Sequence, residues 1–219
     1  MTVPTDSTAP AGPVPGRPAP DGLLPWIRTA GSAGAAGRPG TPRAAVLFDR
    51  DGTLVHDVPY NGDPGAVRPV TGAADAVAAL RSAGILVGVV SNQSGVARGL
   101  LTREQVEAVN RRVEELLGPV DVWAVCPHGP EDGCRCRKPA PGLVLAACRV
   151  LGVPPRRAVV IGDIGSDGAA AEAAGAFPVL VPNAATRVEE TAAARTVASD
   201  LVAAVGTALH HLLPPGRAA

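Results

Sequence analysis

The sequence predicts an α/β protein built on a doubly wound parallel sheet. Short apolar segments alternate with longer segments in which apolar residues recur every three or four positions, the pattern of alternating strands and helices. The strand candidates are apolar throughout, which indicates that helices cover both faces of the sheet. Apolar residues make up 46% of the 219 residues and aromatic residues only 2%, so Val, Leu, Ile and Ala must fill the core.

Residues 44–212 show the pattern of one domain. The predicted strands, in chain order, are 44–48, 86–90, 120–125, 158–161 and 177–181. The predicted helices are 72–83, 102–117, 141–152, 166–175 and 187–212. The second helix has a clear start, because Thr102 at the N-cap and Gln105 three positions later form a capping box. No connection between the strands is long enough to form a large cap domain over the sheet.

The first 43 residues predict a disordered tail rich in Pro, Gly and Ala, and 213–219 predict a flexible C-terminus. The apolar cluster 23–27 interrupts the tail. It could dock on the domain or on a partner, but a stray apolar cluster is the favoured interpretation.

Carboxylates follow two of the predicted strands, at the edge where parallel sheets bind ligands. Asp49 and Asp51 lie two positions apart on an extended segment, so both can face one pocket as a nucleophile and an acid/base, or as metal ligands. Taken alone, this pair is equally consistent with a strand-ending turn around Gly52. Asp163 ends an apolar strand, where an unpaired charge is costly, and carboxylates in such places hold Mg²⁺.

Two further motifs supply groups for a phosphoryl oxygen. Residues 91–95 read Ser-Asn-Gln-Ser-Gly, a hydroxyl followed by amide donors in a turn. Arg137 and Lys138 precede a predicted helix, and a cation there can neutralise both a carboxylate nucleophile and a phosphoryl group. Either motif alone is better explained as a polar turn or a solvated basic pair. All four motifs in order, each at or near a strand end, point to phosphoryl chemistry.

Three of the four cysteines form a CxH…CxC pattern with a histidine. The four side chains are Cys126, His128, Cys134 and Cys136. Four such ligands in one short polar loop predict a closed, structural zinc site that orders the loop, in preference to three unrelated thiols and a loop histidine. Their clustering favours metal binding in a reducing compartment over a disulfide framework. Cys148 lies among apolar helix residues and is expected to be a small core residue.

The motifs together resemble those of the haloacid-dehalogenase superfamily. Its DxDxT motif matches residues 49–53, its hydroxyl motif Ser91, its lysine motif Lys138 and its GDxxxD motif residues 162–167. The cysteine loop narrows the resemblance, over about residues 44–185, to the D-glycero-D-manno-heptose 1,7-bisphosphate 7-phosphatase family, of which the histidinol-phosphate phosphatase domain is a close relative. Position 91 is often Thr in that family, and Ser preserves the hydroxyl.

The resemblance implies a Mg²⁺-dependent phosphatase that removes a sugar 7-phosphate through an aspartyl-phosphate on Asp49, in the synthesis of nucleotide-activated heptose. It implies that Asp51 is the general acid and base, and that Ser91 and Lys138 stabilise the phosphoryl oxygens. The implied Mg²⁺ ligands are Asp49, the backbone carbonyl of Asp51 and Asp163. The implied substrate contacts are Asp57, Tyr60, Asn92, Gln93, Ser94 and Arg137. Asp167 is expected to orient Lys138 or metal-bound water.

Three alternatives stay open at this point. The chain could act on histidinol phosphate or another small sugar phosphate, or it could transfer the phosphoryl group to an acceptor other than water. It could also be a catalytically silent zinc-binding interaction module, which the complete set of catalytic residues disfavours. Basic and acidic residues number 20 each and no long apolar run occurs, so nothing supports a nucleic-acid binder or a membrane protein. We expect a monomer in the cytoplasm whose partner is a small sugar phosphate.

Overall fold

The structure, a computed structural model, describes residues 23–29 and 43–213 of the chain. Its strands are β1 (Trp26–Thr29), β2 (Ala45–Phe48), β3 (Leu86–Asn92), β4 (Val122–Cys126), β5 (Ala158–Gly162) and β6 (Phe177–Leu180). They form one sheet in the order β1-β4-β3-β2-β5-β6, in which β1 is antiparallel to β4 and all other neighbours are parallel. The predicted α/β class is therefore confirmed.

Helices cover both faces of the sheet. They are α1 (Ala73–Ser82), α2 (Arg103–Leu117), α3 (Gly142–Leu151), α4 (Gly165–Ala174), α5 (Val188–Ala193) and α6 (Leu201–Leu212). Buried residues of α1, α2 and α6 pack on one face of the strands, and those of α3 and α4 pack on the other. Both core clusters consist mainly of Val, Leu, Ile and Ala, as the composition predicts. Within the described residues, no helix is long and apolar enough to cross a membrane.

The predicted capping box of α2 is present. The Thr102 hydroxyl accepts from the Gln105 backbone N–H at 3.3 Å, and the Gln105 side-chain oxygen accepts from the Thr102 N–H at 2.9 Å. The predicted last helix, 187–212, is wrong in its middle, where the chain leaves α5 and returns to the sheet. The β6 residue Leu180 donates to Thr196 O at 2.9 Å and accepts from Ala198 N–H at 2.8 Å before α6 begins. These backbone bonds extend the sheet edge and interrupt the helix.

The apolar cluster in the N-terminal tail is not stray, which corrects the prediction of disorder there. Trp26 pairs with Val125 in the antiparallel ladder between β1 and β4. The Arg103 guanidinium lies 5.0 Å from the Trp26 ring centroid, and Arg28 forms a 3.1 Å ion pair with Glu114. These long-range contacts hold β1 at the sheet edge. The rest of the predicted tail, 1–22 and 30–42, and the C-terminal residues 214–219 lie outside the described residues.

Candidate active site

The predicted site residues meet at the carboxyl edge of β2, β3 and β5. These strands are parallel neighbours, so the residues that follow them converge on one edge of the sheet. A cavity of about 360 Å³ opens there. Of the predicted residues, it is lined by Asp49, Asp51, Asp57, Tyr60, Asn92, Gln93, Ser94, Lys138 and Asp163. Its size and its polar lining suit a small, charged ligand.

Lys138 is a buried cation shared by two carboxylates. Its Nζ lies 2.7 Å from Asp49 Oδ1 and 2.6 Å from Asp167 Oδ1, and it donates to Val90 O at 2.8 Å. Burial alone would lower the pKa of Lys138, but Asp167 and then Asp49 outweigh that effect and hold the pKa above its usual range. The ammonium is therefore charged at neutral pH and is fixed beside the Asp49 carboxylate.

Three buried carboxylates in this site can hold a metal ion. Oxygens of Asp49, Asp163 and Asp167 lie within 4.8 Å of one another. Burial raises the pKa of Asp49 to about 8, an effect that Lys138 opposes, and burial also raises the pKa of Asp163. Three acids around one ammonium leave an excess of negative charge, which a divalent cation would offset. Oxygen ligands of this kind fit Mg²⁺.

Asp163 is held by residues distant in sequence. Its Oδ1 accepts from the Thr53 hydroxyl at 3.1 Å, and its Oδ2 accepts from Asn183 Nδ2 at 2.9 Å. The Asn183 amide also donates to Gly52 O at 3.0 Å, so it joins the β6–α5 loop to the first acidic motif. A Cβ at Gly52 would overlap Asp163 Oδ2, so the close approach of these two segments requires glycine. Asn183 was not predicted for the site, because nothing in the local sequence distinguishes this asparagine from an ordinary turn residue.

Asp51 is fixed by a buried arginine. Arg50 donates from Nε to Asp51 Oδ1 at 3.0 Å and from a terminal nitrogen to Oδ2 at 2.9 Å. Its other terminal nitrogen donates to Asn110 Oδ1 on α2 at 2.8 Å. The Gln93 amide donates at 2.8 Å both to Asp51 Oδ2 and to the Ser91 hydroxyl oxygen. Arg50 and Asn110 were not predicted for the site. The signal available for Arg50 was an arginine between the two acids that follow a buried strand.

Of the other predicted substrate contacts, two are exposed at the cavity, one holds the lysine loop and one lies outside the cavity lining. Asp57 and Tyr60 stand on the exposed side of the cavity. The Asn92 side-chain amide pairs with the backbone of Lys138 through two 3.1 Å hydrogen bonds, which fixes the lysine loop. Arg137 is not among the residues that line the cavity, and its guanidinium donates to His128 O at 3.4 Å.

The predicted zinc ligands lie together in the loop after β4. Cys126 Sγ is 3.7 Å from Cys134 Sγ and 3.3 Å from Cys136 Sγ, and His128 Nδ1 is 3.4 Å from Cys126 Sγ and 3.2 Å from Cys136 Sγ. Zn–S bonds of about 2.3 Å in a tetrahedron place sulfur atoms about 3.8 Å apart. The donor set is thus compatible with zinc. A hydrogen bond with Cys136 lowers the pKa of Cys126 to about 5, so a thiolate is available at neutral pH. Cys148 is a buried residue of α3 and belongs to the hydrophobic core.

Known proteins are similar to this chain in sequence and in fold. A family model described as HAD-hydrolase-like matches residues 135–205. The D-glycero-β-D-manno-heptose-1,7-bisphosphate 7-phosphatase of Pseudomonas putida is 39% identical over 141 residues, which are 62% of this chain and 81% of that protein. The protein of the same name from Vibrio cholerae is 34% identical over 183 residues, 78% of this chain and 97% of that protein.

A solved structure agrees with these relatives. The D,D-heptose 1,7-bisphosphate phosphatase from B. bronchiseptica, complexed with magnesium and phosphate, superposes with a TM-score of 0.68 at 32% identity, covering 76% of this chain and 98% of that one.

The fold and the acidic site define a phosphatase of the haloacid-dehalogenase-like class. The extent of the similarity allows a narrower assignment: the chain belongs to the family of the D-glycero-β-D-manno-heptose-1,7-bisphosphate 7-phosphatases.

Proposed function

We propose that the chain removes the 7-phosphate of D-glycero-D-manno-heptose 1,7-bisphosphate through an aspartyl-phosphate on Asp49, as a step toward nucleotide-activated heptose. The observation that carries the proposal is the buried Asp49 carboxylate, held 2.7 Å from the Lys138 ammonium with the Asp51 carboxylate lining the same cavity. The names of the relatives supply the substrate.

In the first step, the Asp49 carboxylate attacks the phosphorus in line. Burial raises the pKa of Asp49 to about 8, and a divalent cation beside it would favour the ionised form. An ionised carboxylate needs no base to act as a nucleophile, so the barrier comes mainly from repulsion between two anions. The Lys138 ammonium offsets that repulsion, and the Ser91 hydroxyl can donate to a phosphoryl oxygen. The residues that would hold Mg²⁺ are Asp49, Asp163 and the backbone carbonyl of Asp51. When bound, the ion would neutralise charge on the phosphoryl oxygens.

Asp51 then serves as the acid and the base. Its protonated form gives its proton to the leaving sugar oxygen as the oxygen–phosphorus bond breaks, and the resulting carboxylate takes a proton from the water that hydrolyses the aspartyl-phosphate. Arg50 and Gln93 fix its carboxylate from two sides, so its position does not depend on the substrate. Asp167 contacts Lys138 directly, which supports an orienting role for this aspartate.

We assign the cysteine loop a structural zinc ion, with Cys126, His128, Cys134 and Cys136 as ligands. All four positions of the tetrahedron are then filled by protein, so the ion orders the loop and takes no part in catalysis. Lys138 follows the last zinc ligand, Cys136, by two residues, so the loop also fixes the position of the catalytic lysine. Free thiols in all four cysteines support a reducing compartment, the cytoplasm, and we propose a monomer there.

Substrate contacts are assigned to cavity-lining residues other than Asp49, Asp51 and Asp163. These are Asp57, Tyr60, Gln93 and Ser94, with Asn92 holding the lysine loop and Arg137 on the neighbouring zinc loop. Asp57 and Tyr60 are exposed and can meet sugar hydroxyls.

The test is Mg²⁺-dependent phosphate release from both anomers of the heptose bisphosphate, histidinol phosphate and common sugar phosphates. We expect one heptose anomer to be preferred by about a hundredfold in kcat/KM, or about 2.7 kcal/mol of transition-state discrimination. Asp49→Asn should abolish release while the circular dichroism spectrum is unchanged. Normal turnover by Asp49→Asn would refute the mechanism, and a preference for histidinol phosphate would refute the substrate. Phosphate transfer to added alcohols in place of release would indicate a phosphotransferase.

A further inference from the structure

The cavity is acidic, and its two basic lining residues are already engaged. Four of its lining residues carry carboxylates, namely Asp49, Asp51, Asp57 and Asp163. Lys138 is shared between two buried carboxylates. Arg50 directs its guanidinium to Asp51 and to the amide oxygen of Asn110. Both cations are thus already paired with carboxylates and buried, so neither is placed to receive an additional anion.

This arrangement raises a question about a substrate with two phosphates. The reacting phosphate meets Lys138 and the carboxylate cluster that fits Mg²⁺. The non-reacting phosphate carries a similar charge and would be repelled by the acidic lining unless a separate cation received it. Such a cation should lie at the exposed side of the cavity and should have no carboxylate partner.

Arg98 does not itself line the cavity, but it contacts Tyr60, which does, and it has no carboxylate partner among the described residues. It belongs to the same turn as Ser94 and Gly95, which line the cavity, and it is exposed. Its guanidinium donates to the Tyr60 hydroxyl at 2.7 Å and lies 5.6 Å from the centroid of the Tyr60 ring. Among the residues that the structure describes, no carboxylate forms an ion pair with Arg98.

Tyr60 is held in a backbone conformation that tyrosine seldom adopts. Its φ is +53°, and it is the one non-glycine residue with a positive φ in the described ranges. The ring packs against Gly95, where an added Cβ would lie only 2.8 Å from Tyr60 Cδ1. A strained residue kept in place by close packing at a cavity indicates a functional constraint. The constraint here places a ring and a hydroxyl where they hold the Arg98 guanidinium.

We infer that Arg98, held against Tyr60, receives the non-reacting phosphate of a bisphosphate substrate. The inference rests on the proposed function and adds the residue that distinguishes a bisphosphate from a monophosphate. A guanidinium with one nitrogen on a neutral hydroxyl retains further donors for two phosphate oxygens. Stacking on the ring reduces the side-chain freedom that phosphate binding would otherwise have to restrict.

The test compares heptose 1,7-bisphosphate with heptose 7-phosphate, which lacks the far phosphate, in the wild type and in Arg98→Gln. We expect Arg98→Gln to lower kcat/KM for the bisphosphate at least about tenfold, mainly through KM, and to change the monophosphate less than about twofold. Arg98→Lys should restore part of the loss, because it returns the charge without the planar donor fork. Tyr60→Phe, which removes the hydroxyl that accepts from Arg98, should reduce the preference for the bisphosphate over the monophosphate by less than Arg98→Gln does.

A matched control is Arg112→Gln, which removes an exposed arginine that pairs with Glu115 on α2. It should leave both substrates unchanged. Equal losses for both substrates in Arg98→Gln would overturn the inference, because a structural role through Tyr60 acts on both alike. A wild type that prefers the bisphosphate while Arg98→Gln retains that preference overturns the inference alone. A wild type that handles both substrates equally overturns the inference, and one that hydrolyses neither overturns the proposed function as well.

Discussion

The role of Arg50 depends on contacts that its neighbours in sequence do not reveal. It stands between two acidic residues of one motif, where a solvated side chain is the ordinary expectation. In the fold its guanidinium is 1% exposed and links Asp51 to Asn110, sixty positions away on α2. Burying an arginine is costly unless it is paired and hydrogen-bonded, and here the Asp51 carboxylate and the Asn110 amide oxygen provide the partners. The position of Asp51 thus depends on the packing of α2.

Gly52 permits the close approach between the segment that carries Asp49 and Asp51 and the side chain of Asp163. Its φ is +83°, and a Cβ there would overlap Asp163 Oδ2. Gly52→Ala should lower the free energy of unfolding by more than the cost of backbone strain alone, about 1–2 kcal/mol, and should weaken activation by Mg²⁺ about tenfold or more. Denaturant unfolding and a Mg²⁺ titration of activity would measure the two effects.

Gly84→Ala is the matched control for this substitution. Gly84 also has a positive φ, +73°, but a Cβ there meets nothing within 4 Å. This variant should show only the cost of backbone strain, and its activity should respond to Mg²⁺ as the wild type does. Equal behaviour of the two variants would show that the contact with Asp163 is unimportant.

At the scale of single elements, the cysteine loop connects β4 to Lys138. Cys134→Ser should lose bound zinc and lower the melting temperature by about 5 °C or more, since a structural zinc contributes folding free energy directly. Elemental analysis of the purified protein and thermal unfolding are the measurements. We expect one zinc per chain in the wild type and in Cys148→Ser, because Cys148 lies in the core of α3 and away from the loop. A fully stable wild type without zinc would contradict the assignment.

The edge strand β1 gives a second prediction at this scale. Trp26 is partly buried, packs against Leu101, Val106 and Val125, and stacks with Arg103. Trp26→Ala should therefore lower the free energy of unfolding by about 1–3 kcal/mol, part of the cost of removing a fully buried Trp. Leu24→Ala, which removes a side chain that is 71% exposed, should change it by less than about 0.5 kcal/mol. Equal effects in a urea titration would mean that β1 does not contribute to stability.

The stability of the whole molecule should depend on pH through the buried acids. Burial raises the pKa of Asp49 to about 8 and also raises the pKa of Asp163, whereas both would ionise near pH 4 in the unfolded chain. Between these values the native state binds more protons than the unfolded state, so the contribution of these acids to stability is lost as pH rises. The metal-free protein should lose thermal stability between about pH 5 and pH 8, and Mg²⁺ should restore more stability at pH 8 than at pH 5.

Asp49→Asn isolates this effect from that of other titrating groups. The variant cannot ionise at this position, so its melting temperature should fall less steeply over the same pH range in the absence of Mg²⁺. Parallel pH profiles for the two proteins would show that Asp49 does not titrate as the buried cluster requires.

Local patterns predicted the strands and the active-site acids well. Five strands were expected from apolar runs and lie within two residues of the observed bounds, because a strand covered on both faces must be apolar along its length. Asp49, Lys138 and Asp163, predicted for one site, line one cavity, and Ser91 accepts from Gln93, which also lines it, because residues that follow parallel strands share one edge of the sheet. The four predicted zinc ligands also lie together, in a cluster compatible with zinc, since their spacing in one loop is itself local information.

By itself, then, the sequence determined the α/β class, the order of the elements and the edge where chemistry occurs, because each depends on periodicity or on spacing within one segment. Only the tertiary structure decided that β1 joins the sheet, that Arg50 holds Asp51 and Asn183 holds Asp163, and that Arg98 is held against Tyr60. Each of these depends on contacts between segments distant in the chain. The free energy of such contacts comes from packing and burial, which no single segment carries in its own pattern.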